Sequence, residues 1–318
     1  MRSVTVFAPA TVANVGSAFD VLGFAVAQPG DTVTARTSTT PGVTISEISG
    51  DNGILSRDPH RNTAGVSVLA LIRILQERNA SHYSSIGIEL TLQKGLPIGS
   101  GLGSSSASTV AAVVAANELF GSPLSREELL PCAMEGERIA CGAAHADNVA
   151  PALLGGFVLI RSYAPLDVIQ LPTPSHAWVT VISPQLELKT QDARKVLKRS
   201  VALESAISQW GNVAALVAGI YQNDVRLMGR ALEDKIVEPE RAQLIPGYAA
   251  AKSAALAAGA AGCSISGSGP SLFALAESES LAKSIGDAMI TAFSSVGVAS
   301  KAYISQINST GATIVHKE

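Results

Sequence analysis

The segment "PIGSGLGSSSAS", Pro97 to Ser108, decides the fold, because it runs directly into the apolar stretch "TVAAVVAANELF", Thr109 to Phe120. Ahead of it, "SIGIELTLQ" alternates as a strand does, so the order is strand, glycine–serine loop, helix. Glycines let the backbone turn and let a ligand approach its N–H groups, while a helix starting just afterward adds unpaired amides and the positive end of its dipole. Nests of this kind cradle phosphate. The loop is not a G-x-x-x-x-G-K-[ST] sequence, since it holds no lysine, and its G-S-G-L-G spacing does not fit the dinucleotide fingerprint. A triphosphate bound here needs its charge balanced by the helix end, by Mg²⁺ or by residues from elsewhere. The plain alternative is an ordinary turn with a serine helix cap.

With 318 residues, 47% hydrophobic and 15% charged, the chain can bury a large core in two domains and is not disordered. A net charge of -3, without a Lys/Arg cluster, excludes a nucleic-acid footprint. Cys132, Cys141 and Cys263 show neither CxxC nor Cys/His spacing, which fits reduced, buried thiols and a cytoplasmic chain. The start "MRSVTVFAPATVANVGSA" imitates a secretory leader, but Pro9, Thr11 and Asn14 interrupt it and "SVTVFA" alternates as a strand. No run approaches the roughly 18 apolar residues of a membrane span.

The first third reads as strands, "SVTVFAPA", "DTVTARTST" and "GVTISEI", followed by a helix over Thr63 to Arg78. Ser125 and Glu128 have the spacing of a capping box, so another helix begins there. Pro165, Pro172 and Pro174 mark a passage between lobes, and a boundary at 172 divides the chain into 1–172 and 173–318. Beyond it come the strand "HAWVTVIS", helices over 190–222 broken near Gly211, and a helix from Pro246 to Ala258. The end reads as strand, loop "SISGSGPS", strand "LFALA", helix over 280–294 and strand "KAYISQI". This interleaving predicts an α+β fold.

On the helix after Ser125, Leu130, Ala133, Met134 and Cys141 form an apolar stripe, and Glu137 falls on it while Glu135 does not. A carboxylate on a buried face is costly unless paired or metal-bound. An ion pair with Arg126 or Arg138 is one solution, although Arg138, as its sequence neighbour, points away. The other is Mg²⁺, held by Glu137 and the Ser105 hydroxyl, in keeping with the few protein ligands this ion takes.

The loop closely resembles the central motif of the GHMP kinases, and "APATVANVGSAFDVLGFA", "HADNVAPALLGGF" and "CSISGSGPSLFAL" match further family segments in order. The likeness spans most of the chain and is nearest to the homoserine-phosphorylating branch. It implies an amino-terminal domain like that of ribosomal protein S5 and a ferredoxin-like carboxy-terminal domain. It also implies ATP-dependent O-phosphorylation of L-homoserine, a step of threonine biosynthesis. By position, Asn62, Thr63, Lys94 and Pro97 resemble the adenine pocket. Ile98, Gly99, Ser100, Gly101, Leu102, Gly103, Ser104, Ser105, Ser106 and Ala107 resemble the phosphate loop, and Ser105 with Glu137 the Mg²⁺ pair. Asn14, Asp20, His145, Asp147, Asn148, Thr190, Arg194 and Arg241 would receive the substrate, with Ser105, Glu137, Asn148 and Arg194 serving the transfer itself. Ser266 to Ser271 would close the phosphate side of the cleft.

Homoserine is a zwitterion, so its site needs a fixed cation and an acceptor. Arg194 and Arg241 suit the carboxylate, and Asp20 or Asn14 the ammonium. Arg194 in "TQDARKVLKRS" equally suits a solvated helix face, and a lone histidine such as His145 is often structural. Either Asp147 or no protein group acts as base, because a loose transition state releases the nucleophile's proton late. Competing readings are another kinase of the family, such as one acting on mevalonate, which lacks the ammonium, and a nucleotide-binding regulator without chemistry. The expected partner is a small molecule rather than nucleic acid or membrane, and a homodimer is compatible with the sequence.

Overall fold

The computed structural model describes residues 2–83, 85–142 and 145–318. The chain runs through β1 (Ser3–Ala13), β2 (Leu22–Thr37), β3 (Gly42–Ser49), α1 (Thr63–Arg78), α2 (Ala80–Tyr83), β4 (Gly87–Gln93), α3 (Ser104–Leu119), α4 (Arg126–Cys141), α5 (Ala146–Leu154), β5 (Phe157–Tyr163) and β6 (Leu166–Leu171). It continues through β7 (Trp178–Pro184), α6 (Thr190–Lys195), α7 (Leu203–Gln222), α8 (Val225–Ala231), α9 (Glu238–Arg241), α10 (Tyr248–Ala257), β8 (Gly262–Ile265), β9 (Leu272–Ala276), α11 (Glu279–Ser295), β10 (Ser300–Gln306) and β11 (Thr313–Lys317).

Seven strands form the first sheet in the order β11-β1-β2-β4-β3, with β5 on the other end of β2 and β6 beyond it. Only β3 and β4 pair in parallel within it, joined through α1 as a parallel pair requires. The second sheet, β10-β7-β9-β8, is antiparallel. The chain changes sheets between Leu171 and Trp178, yet its last strand, β11, comes back to pair with β1. One apolar core crosses from lobe to lobe. Phe24 of β2 packs on Phe157 at 4.8 Å between ring centroids and meets Phe273 of β9 edge-on at 5.7 Å.

Local rules account for the helices that frame the cleft. The Asn62 side chain accepts the Ala64 N–H at 3.0 Å and starts α1, whose Ala64, Val68, Leu71, Ile72 and Leu75 are buried at helical spacing. The Ser125–Glu128 capping box forms in full, with bonds of 2.8 and 3.3 Å, and starts α4. Helix α3 is buried along nearly its whole length, and its Ser, Ala and Val side chains are small enough for sheet and helices to close around it.

One expectation needs correction, and two segments whose structure was left open are now defined. Gly211 lies inside α7, where a glycine costs about 1 kcal/mol without ending a helix, and the interruption falls at residues 196–202 instead. The proline-rich passage contains β6, which pairs antiparallel with β5. The "HADN" motif opens α5, which tolerates Pro151 within it.

Candidate active site

The glycine–serine loop and the first turn of α3 line one side of a cavity of about 510 Å³ between the lobes. Gly99, Gly101 and Gly103 all have left-handed backbones, and Gly103, with φ of 67°, is the residue from which α3 starts. A Cβ there would strike the Thr11 hydroxyl and lie 2.9 Å from Asn148 Oδ1, so only glycine fits both the angle and the space. Bonds from other parts of the chain hold the loop: Thr11 N–H to Leu102 O at 3.1 Å, Ser266 Oγ to Gly101 O at 2.8 Å, and Ser271 N–H to Ser100 O at 3.1 Å. Both lobes thus grip the loop.

Beneath it sits a group that spacing gave no reason to seek. Asp31 of β2 is fully buried and accepts from Lys94 Nζ, from the Ser108 hydroxyl at 2.7 Å, and from the amides of Gly95 and Leu96 at 2.9 and 3.1 Å. Lys94 also donates to Ser104 O at 2.8 Å and to Ser108 Oγ at 2.6 Å. Burial pushes the Lys94 ammonium down, against the pull of Asp31. Its charged end is therefore committed beneath the loop, although the residue lines the cavity. Asn62 and Thr63 line it too, as do Ile98, Ser100, Ser104, Ser105 and Ser106. Leu102 and Ala107 turn into the core, and Pro97 faces a separate groove on the far side of the loop.

Glu137 of α4 lines the same cavity and is 5% exposed. Gly136 lets α4 approach α1 and α3 closely, for a Cβ there would lie 2.6 Å from Thr63 O and 2.8 Å from Thr109 Cγ2. Both arginines considered as its partners are committed elsewhere. Arg126 donates to the carbonyls of Leu153 and Ala312 at 2.5 and 2.8 Å, and Arg138 pairs with Glu135 at 2.9 Å. Leu130 and Ala133 are buried as the stripe requires, while the Cys141 side chain lies outside the described residues. The Ser106 hydroxyl, which lines the same cavity, is buried and makes no hydrogen bond among the described residues. No group of three or more His, Cys, Asp or Glu side chains among those residues is arranged to hold a metal. One buried carboxylate in a cavity also lined by serine hydroxyls nonetheless fits Mg²⁺, which draws most of its ligands from water and phosphate.

At the other end of the cavity the substrate candidates come together. Asn14 and Asp20 have left-handed backbones, with φ of 55° and 59°. The Asn14 side chain accepts the Asp20 N–H at 2.8 Å and donates to Gly267 O at 2.9 Å, so it fastens the turn across the lobes rather than standing open as an acceptor. Arg194 Nη2 donates to Asp20 Oδ1 at 2.7 Å. Arg241, 2% exposed, bonds the carbonyls of Ala193 and Gly267 at 3.2 and 2.9 Å. Burial, then the Arg194 charge, draws it down to about 10, so it stays cationic at neutral pH. Both guanidiniums lie over the Phe19 ring, Arg194 at 5.4 Å and Arg241 at 5.0 Å from its centroid. Thr190 Oγ1 is 3.3 Å from Ser268 Oγ.

On α5, Asn148 Oδ1 accepts from the Thr11 hydroxyl at 2.7 Å, so the group it can offer a ligand is its NH₂. Asp147 is 3% exposed, and burial followed by the Asp20 charge lifts its carboxyl from 3.8 to about 7. Burial and Arg194 depress His145, which stays neutral at neutral pH, with Nδ1 4.0 Å from Asp20. Asp31, Thr11 and Phe19 were absent from the sequence-based set. The first two act through contacts to residues far away in the chain, which spacing does not report.

The chain matches the family description "GHMP kinases N terminal domain" over residues 67–156 and "GHMP kinases C terminal" over 216–295. It belongs to the GHMP kinases. Along its full length it is similar to homoserine kinases: it is 50% identical to that of Chlorobaculum tepidum, covering 99% of each chain, and 46% identical to that of Arabidopsis thaliana, covering 99% of this chain and 85% of the relative. A crystal structure of homoserine kinase from Cytophaga hutchinsonii superposes with a TM-score of 0.94 at 53% identity, covering 98% of this chain and 97% of that one. The mevalonate kinase of L. major shares the fold, with a TM-score of 0.70 at 15% identity over 95% of each chain.

Proposed function

We propose that this chain transfers the γ-phosphoryl group of ATP to the side-chain hydroxyl of L-homoserine, giving O-phospho-L-homoserine for threonine synthesis. The observation that carries the reading is the pairing of Arg194 with Asp20, backed by buried Arg241, in the same cavity as the glycine loop. A zwitterion with a short aliphatic arm suits that end: its carboxylate meets the arginines and its ammonium meets Asp20. Its hydroxyl then lies toward Asn148 and Asp147. The relatives named above support the same substrate.

Phosphoryl transfer is mostly positioning and charge neutralisation. Loop amides from Gly99 to Ser106 and the mouth of α3 receive the phosphates, and Asn62 and Thr63 border the adenine end. Glu137 and Ser105 would hold Mg²⁺, which when bound neutralises the β- and γ-phosphates. Asn148 donates toward the reacting oxygens, and Asp147 takes the hydroxyl proton late in the transfer, a role supported by its raised carboxyl pKa in the same cavity. The free, buried thiols of Cys132 and Cys263, pushed up by burial to about 11 and about 12, support a cytoplasmic enzyme. Among the described residues no helix is long and apolar enough to cross a membrane.

The test is direct. The purified protein is incubated with ATP and Mg²⁺ and a panel of homoserine, mevalonate, serine and galactose, and ADP release is followed. Homoserine should be preferred by orders of magnitude; preference for another alcohol overturns the assignment.

A further inference from the structure

We infer that the Tyr163 hydroxyl is a positioning device that sets the distance between the Asp20 turn and the Asp147–Asn148 pair, and with it the enzyme's measure of substrate length. Tyr163 ends β5, and nothing in its sequence surroundings marks it. Its hydroxyl donates to the Asp20 carbonyl at 3.0 Å and accepts the Ala146 N–H at 3.4 Å. Ala146 is the first residue of α5 and immediately precedes Asp147 and Asn148. A single oxygen thus joins the two halves of the homoserine end.

The Asp20 side of this link is strained, because a left-handed aspartate persists only where its surroundings hold it. Both neighbouring peptide groups are held: Asn14 takes the Asp20 N–H, and Tyr163 supplies the proton to the Asp20 carbonyl. The carboxylate that emerges from this turn pairs with Arg194. On the α5 side, the same hydroxyl satisfies an N–H that has no partner within the helix. The Tyr163 ring also stands edge-on to His145, 6.3 Å between centroids, so removing the oxygen leaves that packing in place.

This inference rests on the homoserine reading. Asp20 receives one end of the substrate and Asn148 the other, so a shift between them alters which chain length fits. Tyr163→Phe deletes the oxygen alone. Loss of two hydrogen bonds should raise KM for homoserine about 5- to 30-fold, with KM for ATP unchanged. The kcat/KM ratio of homoserine to serine, which is one methylene shorter, should fall at least about threefold because the spacing is no longer fixed. Wild-type protein is assayed beside it. If wild type fails to phosphorylate homoserine, the functional reading falls. If wild type works and Tyr163→Phe keeps both its homoserine KM and its selectivity, the positioning role is overturned. A parallel rise in both substrates' KM with unchanged selectivity also overturns it, since that is the mark of a general structural disturbance.

Discussion

Replacing Asp147 with asparagine should make the protein more stable at alkaline pH while slowing its reaction. The carboxyl is buried at the start of α5, near the charges of Asp20 and Glu137, which oppose its ionisation, and of Arg194, which favours it; it ionises near 7 instead of 3.8. Between those values the unfolded chain has given up a proton that the native state retains. Native stability therefore declines as pH climbs from about 4 to about 7, and the deficit is constant above that. A gap of about 3 pH units corresponds to roughly 4 kcal/mol, which relaxation of the surroundings reduces. An asparagine cannot ionise and escapes the deficit, so Asp147→Asn should gain about 2–4 kcal/mol at pH 8 and almost nothing at pH 4. At roughly 2 °C per kcal/mol, this is a rise of about 4–8 °C in melting temperature. Thermal melts of both proteins at pH 4, 6 and 8 measure it, and other titrating groups cancel in the difference. Turnover of the wild type should rise with pH through about 7, whereas the variant should be about 10²-fold slower and lack that limb. A melting difference that does not grow with pH, or a variant less stable at pH 8, would refute the account of Asp147.

Other substitutions test separate parts of the site. Glu137→Gln should cut kcat by at least about 10²-fold and abolish its dependence on Mg²⁺ concentration, with melting within a few degrees of wild type; retained turnover removes the metal role. Gly103→Ala places a side chain in a left-handed position against Thr11, so it should cost at least about 1–2 kcal/mol and raise KM for ATP more than that for homoserine in steady-state kinetics. Asp31→Asn strips the buried Lys94 ammonium of its counter-charge, and urea unfolding should register a loss of about 3–5 kcal/mol.

Much of the architecture could be read in advance because its signals are local. The apolar period of α1, the Ser125–Glu128 cap of α4 and the glycine loop before α3 each depend on residues within a few positions of one another. Glu137 was accessible by the same logic, since a carboxylate on an apolar stripe is conspicuous. What stayed hidden depends on distant pairings. Strand β11 exists because β1 offers it an edge some three hundred residues away, and Asp31 matters only because β4 and α3 fold over it. The break before α7 was misplaced because glycine is a weak punctuation mark when the surrounding residues favour helix.

The trio Phe24, Phe157 and Phe273 has a bearing on how substrates enter. Because these rings stack across both sheets in one continuous core, the lobes cannot swing apart like jaws without tearing apolar contacts open. Admission and release must then be the business of segments outside that core, above all the stretch around α6 that carries Arg194. Such gating is local and small in amplitude, and it leaves the scaffold's geometry untouched from one turnover to the next.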